Sequence, residues 1–348
     1  VKPTYLDHAA SVPVLPAARE ALLEGLALGA NPSSPHGPGR AARRALEGAR
    51  ERVARALGWN GEIIFTSGAS EALAIALTRS HAHRHVVSAV EHEAVMRHVP
   101  GARILPVGAD GMIEAAAIGD VEGALVAVQQ VNNETGVMQP LGGIEDHVRS
   151  GGGVLLADCA QGAGKIALPD CDMAAISAHK FGGPPGIGAL LVRDFSLIAP
   201  TGGQERGYRG GTENVPGAMA MATALEAGHH WLEEALRLRA MVEDAIIDAG
   251  GEVVAPASPR IATIASYRLP GLAAAVQLIQ LDAAGIAVSA GSACSSGSLR
   301  ASHVLTAMGM DEKAAGEVIR VSIGRETKEA DLDRFLDVWT AMAKRARG

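Results

Sequence analysis

The sequence predicts an α/β fold: a large domain on a mostly parallel seven-stranded sheet flanked by helices, with a smaller α+β domain beside it. Three observations predict it. Between Glu62 and Arg193, short apolar runs alternate with Ala-rich segments of helical character. Several of those runs are nearly continuous in apolar residues, as strands covered on both faces require. The chain has 348 residues, and at roughly 150 residues per domain that length suggests about two domains. The expected boundaries are 14–230 for the large domain, and 1–13 with 231–348 for the small one.

Taken in order, Asn31–Gly39 is rich in Pro, Gly and Ser and reads as a loop. Arg40–Leu57 reads as a long amphipathic helix ended by Gly58. The candidate strands are Glu62–Thr66, Val86–Ala89, Arg103–Val107, Ala124–Gln130, Val154–Ala157, Met173–Ser177 and Gly188–Arg193. A second long helix is expected from Val215 to Ala249, ending at Gly250-Gly251. Beyond it, shorter strands and helices surround a Gly/Ser loop, Ser289–Ser298.

Composition narrows the function. The chain has 65 Ala, 42 Gly and 10 aromatic residues, so its core is built largely from small side chains. A net charge of −7 argues against a general nucleic-acid binder. Three cysteines, an odd number in a long chain, point to a reducing cytoplasm rather than a disulfide framework. Residues 1–10 hold no apolar run that would serve as a signal peptide. No stretch reaches the ~18 apolar residues of a membrane span.

In open α/β sheets, ligands sit outside the carboxyl ends of the strands. The loops after the candidate strands hold most of the polar chemistry. Thr66-Ser67-Gly68-Ala69-Ser70 opens a helix, whose N-terminal N–H groups suit a phosphate, although taken alone the loop reads better as a plain turn with a Ser cap. Ser177–Pro184 places Lys180 at a strand end in a Gly/Pro-rich loop, a candidate Schiff-base amine. Asp158 ends the preceding strand, 22 residues earlier. An Asp for a pyridinium nitrogen and a Lys for an aldehyde are two anchors that pyridoxal phosphate needs. His92 follows another strand; Met96 excludes an HExxH zinc site. His81, His83 and His85 read as exposed, and no metal site is expected. Cys294 has small, flexible neighbours and reads as a reactive thiol, whereas Cys159 and Cys171 read as structural.

Together these segments resemble the cysteine desulfurases, of the branch serving iron–sulfur assembly and nitrogenase maturation. These are class V aminotransferase-like, fold-type I pyridoxal phosphate enzymes. The likeness runs from Tyr5–Ala10 to Arg320–Gly324, through Asn31–His36, Thr66–Glu71, Val131–Gly136, Asp158–Gln161, Ser177–Pro184, Gly202–Asn214 and Ser289–Ser298. The resemblance implies that Lys180 forms the Schiff base with pyridoxal 5′-phosphate. Asp158 would hold the pyridinium proton, Gln161 the ring oxygen, and His92 would stack on the ring. Ser70, Ser177 and His179, with backbone near Ala69, would hold the phosphate. Thr212 would reach the phosphate of a neighbouring subunit, implying a homodimer. Asn133 and Arg320 would bind the carboxylate of L-cysteine. Cys294 would become a persulfide that passes sulfur to an acceptor protein, such as an iron–sulfur scaffold, and alanine would be released. A selenocysteine lyase, another class V enzyme, or a non-enzymatic relative that docks a partner are the alternatives. The chain is shorter than is usual for that family around Leu168–Met173 and before Gly271.

Overall fold

The computed structural model describes residues 3–291 and 302–347. Its strands are β1 (Thr4–Tyr5), β2 (Glu62–Thr66), β3 (Arg84–Ser88), β4 (Arg103–Leu105), β5 (Ala124–Gln129), β6 (Val154–Asp158), β7 (Met173–Ser177), β8 (Gly188–Val192), β9 (Glu252–Val253), β10 (Ile264–Arg268), β11 (Ile286–Ala287) and β12 (Val318–Ser322). Its helices are α1 (Pro16–Ala27), α2 (Gly37–Leu57), α3 (Ala69–Arg79), α4 (Glu93–Met96), α5 (Leu141–Ser150), α6 (Val215–Glu226), α7 (Leu232–Asp248), α8 (Ala274–Ala283), α9 (His303–Ala307), α10 (Glu312–Ala315) and α11 (Glu329–Arg347).

The seven strands expected between Glu62 and Arg193 form one sheet, in the order β2-β8-β7-β6-β5-β3-β4. Only β8 opposes its neighbours; the pairs from β7 to β4 are parallel. β3 begins at Arg84, ahead of the apolar run, because Arg84 and His85 pair with Ala124 and Leu125 through backbone groups that need no apolar side chain.

Alternation along each strand fills two cores. Phe65, Val126, Leu155 and Ile176 point to one face, packed under α2, α5 and α6. Ile64, Leu125, Leu156 and Ala175 point to the other, under α3 and α4. Along the inner strands both faces are buried, which is why those strands read as continuous apolar runs. Ala72 and Ala76 of α3 lie in the second core, so part of the alanine excess is packed between helix and sheet.

Two helix boundaries differ from expectation. α2 begins at Gly37, so Asn31–Gly39 is not all loop: His36 Nδ1 accepts from Gly39 N at 3.2 Å and Pro38 fits the first turn. The single helix expected from Val215 to Ala249 is two, α6 and α7, separated at 227–231. Gly228 adopts φ +74° there, and Arg325 Nη2 donates to its carbonyl at 2.6 Å. Apolar spacing runs through the break, so periodicity alone does not reveal it.

The remaining strands make a three-stranded antiparallel sheet, β12-β10-β9, and a two-stranded pair, β1-β11. Leu238, Val242 and Ile246 of α7, Leu281 of α8, and Phe335 and Trp339 of α11 form their core with Tyr267, Ile319 and Val321. Residues 319 and 321 face that core, so strand periodicity turns Arg320 to the opposite side. Among the described residues, no helix is long and apolar enough to cross a membrane.

Candidate active site

A cavity of about 440 Å³ opens at the carboxyl ends of β2, β5, β6 and β7. Ten of the residues singled out in the sequence line it: Ala69, Ser70, His92, Asn133, Asp158, Gln161, Ser177, His179, Lys180 and Arg320. Thr212 is exposed and does not line it. Cys294 lies outside the described residues.

One end of the cavity is the start of α3. The first backbone bond there runs from Ala72 N to Gly68 O at 3.1 Å, so the N–H groups of Ala69 and Ser70 have no acceptor within the helix. Such groups, with the helix dipole, form an anion seat. A Cβ at Gly188 would lie 2.6 Å from Gly68 Cα and 2.4 Å from Ile176 O. Glycine at 188 therefore lets the start of α3 close onto β7 and β8. A Cβ at Gly68 would lie 3.3 Å from Ser177 Oγ, which places that hydroxyl beside the seat.

The other groups gather around Lys180. Asp158 ends β6, is 8% exposed, and accepts from Ala160 N at 2.9 Å. Burial raises its pKa, against the Ala160 hydrogen bond and the charges of His92 and Lys180. His92 caps α4, its Nδ1 accepting from Ala94 N at 3.1 Å. That bond leaves the neutral ring with its proton on Nε2. Burial holds the imidazole below its ordinary pKa. Lys180 Nζ donates to the carbonyls of Ala9 at 2.7 Å and Ala10 at 3.0 Å. Gln161 Nε2 donates to the same Ala9 carbonyl at 2.9 Å, while its buried Oε1 has no partner among the described residues.

Arg320 is 3% exposed and clamped: Nη2 contacts Asp7 Oδ1 at 2.8 Å, and Nη1 donates to Asn133 O at 2.9 Å. The two residues that the resemblance assigns to a carboxylate are thus in contact. Sequence reasoning missed Asp7, the carbonyls of Ala9 and Ala10, and two buried ionisable groups, Glu91 and Lys165. Asp7, Ala9 and Ala10 lay inside a segment already matched, Tyr5–Ala10, which was the available signal. Glu91 and Lys165 gave none, because a charged residue in a loop ordinarily reads as solvated.

Cys159 and Cys171 are fully buried, and burial pushes the Cys171 thiol up to about 12. His81 and His83 are exposed as expected, but His85 is half-buried, its Nε2 3.0 Å from Leu77 O. No group of three metal-ligating side chains converges among the described residues.

The residues present fit pyridoxal 5′-phosphate. An amine, a buried carboxylate, an imidazole and a helix-end anion seat share one cavity, with the unpartnered Gln161 Oε1 beside them.

The aminotransferase class-V family model matches residues 4–335. An IscS-like cysteine desulfurase of Mycobacterium tuberculosis is 38% identical, over 99% of this chain and 97% of the relative. A cysteine desulfurase of Cereibacter sphaeroides is 35% identical, over 96% and 94%. The solved structure of a NifS-like protein from Rickettsia africae superposes with a TM-score of 0.90 at 27% identity, over 98% of this chain and 99% of that one. On sequence and fold together, this chain belongs to the class-V aminotransferase family, among its pyridoxal 5′-phosphate-dependent cysteine desulfurases.

Proposed function

We propose that the protein converts L-cysteine to L-alanine and carries the sulfur away as a persulfide on Cys294. The observation that best supports this is the meeting of Lys180, Asp158 and His92 with the Arg320–Asn133 pair around one cavity. Pyridoxal 5′-phosphate, when bound, supplies an electron sink for the carbon bearing the substrate amine. Asp158 would keep its ring nitrogen protonated, and Gln161 and His92 would help hold the ring. Ser70, Ser177 and His179, with the backbone near Ala69, would hold the phosphate, and Thr212 would serve the neighbouring subunit of a homodimer.

Arg320, fixed by Asp7 and the Asn133 carbonyl, orients the substrate carboxylate with Asn133. Lys180 takes the proton from the substrate Cα and later returns one. The Cys294 thiolate attacks the substrate sulfur. An S–S bond forms, the C–S bond breaks, and its electron pair stays on the carbon skeleton, which a proton converts to alanine. A free thiol has a pKa near ~8.5, so the site must favour the thiolate. Residues 14–230 would form the cofactor domain, with 1–13 and 231–348 as the small domain. The sulfur would pass to an acceptor protein in the cytoplasm, such as an iron–sulfur scaffold.

The test is mass spectrometry of Cys294 after addition of L-cysteine, alongside alanine release. One added sulfur on Cys294, and no sustained turnover in Cys294→Ser, is the expected result. Turnover of Cys294→Ser at the parent rate would sink the persulfide role.

A further inference from the structure

Lys180 and Ala9 line two cavities: the large one above, and a second of about 30 Å³. His8, Lys165, Thr263 and Arg325 also wall the second. A water needs only ~10–15 Å³ of such volume, together with polar partners. Two buried polar atoms of the lining residues, His8 Nδ1 and Thr263 Oγ1, have no hydrogen-bond partner among the described residues.

Lys165 is the unusual member. It is 5% exposed, and its Nζ donates to Gln161 O at 3.0 Å. The ionisable groups facing it are Lys180 and His179 from the turn after β7, His8 from the N-terminal segment, and Arg325 after β12. None of the four offers a negative charge. Burial, mainly, holds His8 and His179 down to about 4, so both are neutral at pH 7. A buried ammonium without a carboxylate is costly. Burial, and then the charge of Lys180, push the Lys165 amine down to about 7. An amine poised near neutrality takes or gives a proton at little cost.

We propose that Lys165 is a working amine of this site, passing protons to and from Lys180 through water that His8 and Thr263 hold in the small cavity. The proposal rests on Lys180 as the reacting amine. The step is proton transfer alone: an N–H bond breaks on one ammonium, a water proton shifts, and an N–H bond forms on the other amine. The charge moves with the proton, and no oxidant or reductant is required.

The experiment uses protein loaded with pyridoxal 5′-phosphate, in parent form and as Lys165→Met. It follows exchange of the Cα hydrogen of L-alanine with D2O by NMR, a readout that does not need Cys294. It also follows the pH profile of kcat for L-cysteine. In Lys165→Met, exchange should slow by about tenfold or more, KM should stay within about twofold, and the limb of the profile near pH 7 should disappear. Exchange at the parent rate with an unchanged profile would overturn the proposal. Thr263→Val, close in shape but lacking the hydroxyl, should also slow exchange; it covers the case in which Lys165→Met does not fold, and the parent rate there would overturn the relay. Borohydride reduction with peptide mass mapping separates the two readings. Cofactor mass on Lys180 in every protein supports the assignment beneath the proposal, and cofactor mass on Lys165 would overturn both.

Discussion

Glu91→Gln tests how the buried end of the site is charged. Glu91 is fully buried between β3 and α4. Its Oε1 accepts from Gln129 N at 2.9 Å, and its Oε2 has no partner among the described residues. Burial, with the charge of Asp158 added, pushes its pKa from 4.5 up to about 8, against the hydrogen bond from Gln129 N. The folded pKa lies above the unfolded one. Between pH 4.5 and 8 the folded state therefore holds the extra proton, and stability from this group falls as pH rises through that window. The full loss is on the order of 5 kcal/mol, at 1.36 kcal/mol per pH unit. A glutamine amide in its place would keep the acceptor for Gln129 N and cannot ionise. The variant should match the parent near pH 5 and exceed it by pH 9. For a chain of this length a degree of midpoint is worth roughly 0.7 kcal/mol, so the gap should open by up to about 7 °C. Thermal unfolding of the two cofactor-loaded proteins from pH 5 to 9 measures it, since other titrating groups cancel in the difference. A gap that stays flat, or closes as pH rises, would refute the buried protonated acid.

Two further outcomes are expected. Arg320→Lys loses the planar fork that joins Asp7, Asn133 O and a carboxylate; KM for L-cysteine should rise about 10- to 100-fold, more than kcat falls. Steady-state kinetics check it, and a KM within about twofold of the parent would count against Arg320 as the carboxylate anchor. Glu205→Ala removes a buried carboxylate that accepts from Arg50 Nη1 at 2.8 Å and Phe65 N at 2.9 Å. Arg50 keeps the Glu47 carboxylate at 3.0 Å, so the loss should cost about 1–3 kcal/mol, for the buried donors left unsatisfied, read as a lower thermal midpoint, with the cofactor spectrum unchanged in the folded fraction.

The large sheet was legible because its inner strands are covered on both faces and so spell apolar runs of strand length. Asp158, Lys180 and His92 were legible because parallel strands deliver their loops to one edge, whatever the details of packing. Capping chemistry at Gly58 marked one helix end correctly. The break at Gly228 was not legible, since the apolar spacing continues across it and only the change of core, from that of α6 to that of α7, shows that the chain has turned.

By itself, the sequence determined the sheet, the strand ends that carry chemistry, and the family those residues resemble, because period, punctuation and residue type are local properties. Tertiary structure alone decided the rest. Asp7 meets Arg320 across 313 positions, and the Ala9 carbonyl receives both Lys180 and Gln161. Burial, set by everything packed around a group, turned Glu91 into an acid that keeps its proton and Lys165 into an amine that can lose one. No spacing along the chain encodes these, because solvation and Coulomb interaction depend on distance in space.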